Sequence, residues 1–205
     1  MRTHNHRLAW NTRLANRFGV NNIKPVPPVP KPNLVPNSNR LQDWPRDSEI
    51  AVVVGEDGWV SAEYLGNGAP WFTTGNVMDL EVGKTYTFSI EIKAGTLNKT
   101  LVQFNSDQDF EGEGQTDVST RKVGGTQANP VFRQMPPGGV EFQDLSPDDS
   151  VIIAITRKIN VGIGGITKGN VTLRPGIWSQ LRGTVWYRHP KVEEGSEYTG
   201  YVAGP

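Results

Sequence analysis

The chain has no cysteine, so it can form neither a disulfide framework nor a thiolate metal centre, and its redox compartment stays open. Histidine is nearly absent too: only His4, His6 and His189 occur. None of them stands in an H-E-x-x-H helix or in a Ser–His–Asp order, and P-loop and dinucleotide fingerprints are missing as well. Carboxylate pairs exist in any chain with 21 Asp and Glu, but sequence alone cannot set two of them about a glycosidic bond. Catalysis is therefore not expected. No apolar run approaches the ~20 residues that span a bilayer. The N-terminal arginines are followed by no apolar h-region or small-residue cleavage site, so neither a membrane partner nor a secretory signal is expected. The last absence is local. Residues 1–42 hold seven Lys and Arg and no Asp or Glu, whereas residues 43–205 hold the other 14 Lys and Arg and all 21 acids. A net charge of zero thus divides into +7 and −7, the pattern of a basic arm on an acidic body.

What is present is glycine (23), proline (15) and many β-branched residues, which favours short strands with turns over helices. Residues 5–18 are the exception. Trp10, Leu14 and Phe18 recur at i, i+4 and i+8 with Arg7, Arg13 and Arg17 elsewhere, as in an amphipathic helix capped by Asn5 and Gly19. About three turns are not stable alone, so its aromatic face needs a partner: its own domain, another protein, or a nucleic acid or membrane surface. The dispersed charges support the last two least, and residues 1–23 are read as an anchor arm. Residues 24–36 contain six prolines and form a polyproline-like linker of roughly 40 Å. Residues 37–205 are then the folded domain.

Alternation dominates that domain. Ile50–Val54 and Trp59–Leu65 flank a Gly55-Glu56-Asp57-Gly58 hairpin signal, and Gly66-Asn67-Gly68 marks another turn. A further strand starts at Pro70-Trp71-Phe72. In the cleanest run Tyr86, Phe88, Ile90 and Ile92 face one way and Thr85, Thr87, Ser89, Glu91 and Lys93 the other. Leu101–Phe104 is expected to pair beside it, in an antiparallel sandwich with one wet face per sheet. Residues 105–150 read as long loops around short strands at Val131–Arg133 and Val140–Leu145. Val151–Thr156 and Ile159–Ile166 are expected as the last interior strands. The final strand pattern carries Leu181, Val185 and Tyr187, and Tyr198 and Tyr201 are expected to tie down the tail.

Three segments carry a resemblance. W-S-Q-L-R-G-T-V-W-Y-R-H-P-K-V-E-E-G-S-E-Y-T-G-Y (Trp178 to Tyr201) resembles the closing segment of carbohydrate-binding-module-like jelly-roll domains in bacteriophage tail, fibre and head-decoration proteins. Asn33 to Ser38 resembles their opening, and Leu80 to Lys93 their central strand. The resemblance implies an all-β, antiparallel jelly-roll sandwich behind the arm and linker. It implies a non-enzymatic virion structural protein, made in the host cytoplasm and displayed on the particle surface. The reading adopted is a capsid decoration protein of cement or head-fibre type, whose arm (Arg7, Trp10, Arg13, Leu14, Arg17, Phe18) docks on the major capsid protein or another virion protein. The alternative is a tail or tail-fibre component, or a module binding a host-surface polysaccharide. A homo-oligomer, with a trimer as the family's example, is expected.

Domains of this fold stack sugars on exposed aromatics, which makes Trp44, Trp59 and Trp71 the candidates, with Trp178, Trp186 and Tyr64 also available. The competing reading for each is core or rim packing. No cofactor is expected beyond a weak calcium candidate. Asp107, Asp109, Glu111 and Glu113 imitate the first half of a calcium loop, but Val118 stands where its bidentate glutamate belongs, and a solvated acidic loop is the preferred reading. The resemblance adds only that sandwiches of this kind often hold calcium.

Overall fold

A computed structural model describes residues 28–65, 70–107, 118–135, 138–159, 165–175 and 182–205. The arm with Arg7, Trp10, Arg13, Leu14, Arg17 and Phe18, the 66–68 turn, Asp109, Glu111, Trp178 and Leu181 lie outside the described residues. The described chain is all-β. Its strands are β1 (Ile50–Val54), β2 (Val60–Tyr64), β3 (Phe72–Thr73), β4 (Met78–Glu81), β5 (Thr85–Ala94) and β6 (Thr100–Ser106), then β7 (Val118–Gly124), β8 (Val131–Met135), β9 (Gly139–Gln143), β10 (Val151–Lys158), β11 (Ile166–Pro175) and β12 (Gly183–Glu194).

These strands form two antiparallel sheets. One runs β1-β2-β12-β5-β10-β7, the other β3-β11-β6-β9-β8 with β4 also on β11. From β5 onward, all but one of the connections between successive strands cross from one sheet to the other, which makes the sandwich a jelly roll. Inward residues of both sheets fill the space between them: Phe88, Ile90 and Ile92 of β5, Ile153 and Ile155 of β10, Val185 and Tyr187 of β12, against Val102 and Phe104 of β6 and Val171 and Leu173 of β11. Phe88 and Phe104 meet across the layers with centroids 6.0 Å apart. Burying each such side chain stabilises by about 1.5–3 kcal/mol.

Several expectations need correction. Leu101–Phe104 does not pair with β5. It belongs to β6 in the opposite sheet, bonded to β11 and β9, while β5 takes β12 and β10 as neighbours. Period-2 patterning marks a strand and its inner face but not its partner. Most of the strand expected at Ile159–Ile166, residues 160–164, lies outside the described residues; β10 ends at Lys158 and β11 begins at Ile166. Residues 105–150 hold a third strand, β7, in addition to the two expected.

The outer face of β5 is also drier than alternation implied, since Thr87, Ser89 and Glu91 are buried. The chain ends explain this. In β12, Arg188 pairs with Glu91 and Lys191 with Ser89, so His189 and Pro190 together oppose Ile90. Such a bulge is where a central strand tolerates proline, which has no N–H to give the ladder. His189 adopts φ 57° there. Past the bulge the C-terminal tail and residues 31–38 fold over the sheet. Asn33 holds both: its Nδ2 donates to Pro190 O and Val202 O, and its Oδ1 accepts from Val35 N and Val192 N. Lys31 N donates to Thr199 Oγ1, so the part of the proline-rich segment from Lys31 onward is bonded to the domain. Beneath this clasp Lys191 and Glu193 are fully buried as an ion pair. Lys191 Nζ also donates to Thr199 Oγ1 and Gly200 O, and Thr199 N donates to Glu193 Oε1. Tyr201 ties the tail down as expected, stacked on His189 and bonded to Ser38. The clasp covers one end of the sheet and leaves the other open.

Candidate functional site

The open end is built on β2, β12 and β5. Val185 and Tyr187 point into the core, so Trp186 between them must point out. Its Cα partners are Ser61 on β2 and Lys93 on β5. The hairpin between β1 and β2 closes the far side. Asp57 and Gly58 both have positive φ, at 53° and 75°, and Trp59 N donates to Glu56 O, the geometry that an Asp-Gly pair supports in a tight hairpin. Gly55, Glu56, Asp57, Trp59, Lys93 and Trp186 together line an open pocket of about 280 Å³.

Trp59 and Trp186 differ in role within it. Trp59 is 9% exposed, and cations cover its ring: Lys93 Nζ lies 4.5 Å and Arg188 Cζ 4.3 Å from the centroid. Trp186 is half-buried, 5.8 Å from Lys93 Nζ. Gly55 seats it, because a Cβ there would come within 2.8 Å of Trp186 Cζ3. Arg188 is itself fixed by a bidentate pair with Glu91 (2.6 and 3.0 Å) and by Asp57 O at 3.3 Å. Burial alone would raise the Glu91 pKa, but His189, Arg188 and Ser150 beside the carboxylate outweigh it and hold the group at about 2. Glu141 is likewise held low, by Gln143 and then Arg133 against burial. Both carboxylates are locked as anions, the opposite of what a general acid requires.

The structure separates the three candidate tryptophans. Trp44 is no stacking platform: it is 3% exposed and packs on Phe72 at 5.5 Å. Trp71 is 38% exposed, just before β3 on the other sheet and outside the pocket. Only Trp59 reaches the pocket, with its ring largely taken. Sequence reasoning offered Trp186 only as a further available aromatic and set Lys93 on the outward side of its strand without a role; the register places the two side by side. Of the calcium candidates, Asp107 accepts from Thr167 Oγ1 and Lys168 N of β11. Asp109 and Glu111 lie outside the described residues. No cluster of three or more potential metal ligands occurs among the described residues, and no helix among them is long and apolar enough to cross a membrane.

No protein-family model matches the sequence, and no curated protein matches it. Solved structures that match the chain include two of low overall similarity. One, described as "CBM4 structure and function", is 14% identical, with 71% of this chain and 78% of that chain covered at a TM-score of 0.40. The other is the tripod (BppUct-A-L) from the baseplate of bacteriophage Tuc2009, 18% identical, with 86% of this chain and 60% of that chain covered at a TM-score of 0.37. At such values neither passes a ligand or partner to this chain.

Proposed function

We propose that the chain is a non-enzymatic bacteriophage virion protein whose jelly-roll domain binds carbohydrate at the Trp186 pocket. One observation carries the binding reading: a half-buried indole, seated on a glycine, in a pocket lined also by a lysine and two acidic turn residues. A sugar presents an apolar C–H face to stack and a rim of hydroxyls to bond, and sites of this kind pair an aromatic wall with a few polar groups. Isothermal titration of the full-length protein against a panel of polysaccharides tests it. Binding should fall at least tenfold in Trp186→Ala, about 1.4 kcal/mol, while Trp71→Ala changes nothing. Equal affinity in wild type and Trp186→Ala would sink the reading.

A second reading concerns attachment, and the charge division supports it. The basic residues 1–23 would hold the protein to a particle, on the major capsid protein or another virion protein, with a proline-rich spacer between anchor and domain. Capsid decoration is the placement this reading favours over a tail position.

A further inference from the structure

We infer that the pocket selects an acidic sugar, a hexuronic acid, with Lys93 as the residue that reads its carboxylate; this rests on the carbohydrate reading above. The cations on this face of the sheet are not equivalent. Arg188 is neutralised by Glu91, and Lys191 by Glu193. Lys93 has no carboxylate within ion-pair distance among the described residues, and its ammonium instead lies against the rings of Trp59 and Trp186. Ring faces attract a cation but accept none of its N–H protons as an oxygen would. The ammonium therefore keeps its hydrogen-bonding capacity for whatever enters the pocket, in a setting where indoles have displaced part of its water. A charge-assisted bond formed there is stronger than one made at an open surface.

The two acids on the turn give the ligand a direction. Glu56 and Asp57 are exposed and line the pocket from the β1–β2 hairpin, with β12 between them and Lys93 of β5 in the sheet order. They repel a carboxylate from the turn and accept hydroxyl protons there. A ligand that satisfies both sides carries its negative charge towards β5 and its hydroxyls towards the turn, with an apolar ring face for Trp186 between them. A hexuronic acid has this arrangement: one carboxylate on a ring whose remaining substituents are hydroxyls. A neutral hexose would leave the ammonium without an anion.

The experiment is titration calorimetry of the full-length protein with polygalacturonate, alginate and hyaluronan, each beside its carboxyl-reduced counterpart. At least one acidic polymer should bind ten or more times tighter than its reduced form. Lys93→Gln should bring that ratio to about one, and Lys93→Arg should keep it, with unchanged thermal melts showing that both variants fold. Equal binding of acidic and reduced forms overturns the uronate inference and leaves carbohydrate binding standing. An acid preference that survives Lys93→Gln overturns the role of Lys93 in the same way. Failure to bind any of the six polymers, together with failure across the wider neutral panel, removes both.

Discussion

A methyl group added at Gly55 would come within 2.8 Å of Trp186 Cζ3, nearer than two carbons approach without one of them moving. Gly55 has a φ of −98°, so the substitution brings no backbone strain and acts through the indole alone. Gly55→Ala should therefore weaken carbohydrate binding severalfold by titration while shifting the melting temperature little. Trp44→Ala is the opposite case. Its ring is in the core against Phe72, and its loss should cost about 3–5 kcal/mol in denaturant unfolding with no direct effect on the pocket. Glu91 provides a pH signature. Its folded pKa, about 2, lies below the ordinary 4.5, so its contribution to stability is complete above about 4.5 and is lost as pH falls towards 2. Melting temperatures followed over that window should drop more steeply for wild type than for Glu91→Gln, which is already weaker at neutral pH because Arg188 loses its partner. Parallel curves would show that the ion pair contributes nothing to folding.

The clasp on β12 is the element that the sequence hides best. Asn33 supplies both its donors and its acceptor to backbone groups of β12, of the tail and of its own segment, and the Lys191–Glu193 pair beneath is fully buried. Removing one partner of such a network leaves desolvated polar groups behind. Deleting residues 1–30 should thus leave the unfolding midpoint nearly unchanged. Deleting residues 1–36, which takes Lys31, Asn33 and Val35 as well, should lower it sharply or abolish folding. Strands with a clean period were legible: Tyr86, Phe88, Ile90 and Ile92 are all inward and buried. Their wet side was not, because Thr87, Ser89 and Glu91 are covered by segments more than a hundred positions away in some cases, such as Gly195 over Thr87. β7 and β11 were missed for a related reason. V-S-T-R-K-V-G and I-T-K-G-N-V-T-L-R-P mix glycine, asparagine and charge into strands whose partners, not their own propensity, decide the conformation. The pocket was half legible. Alternation about Val185 and Tyr187 turns Trp186 outward, but only the register between β12 and β5 reveals that Lys93 stands beside it.

At the scale of the whole chain, the charge division and the clasp together define what an attachment experiment must compare. The positive end is residues 1–42, with seven basic residues and no acid, yet Lys31 and Arg40 already have partners within the domain: Lys31 Nζ bonds Glu194 O, and Arg40 pairs with Asp43. The other five basic residues, Arg2, Arg7, Arg13, Arg17 and Lys24, all precede residue 31, so residues 31–205 form the fitting body control. If the arm is the anchor, the full-length protein should co-sediment with particles lacking it while residues 31–205 stay in solution. Binding should weaken as salt rises, since exposed charges are screened within about 10 Å at 0.1 M ionic strength. Carbohydrate affinity should be the same in both proteins, because the pocket is lined by β5, β12 and the hairpin. Equal co-sedimentation of the two would move the contact onto the sandwich and leave the arm without an anchoring role.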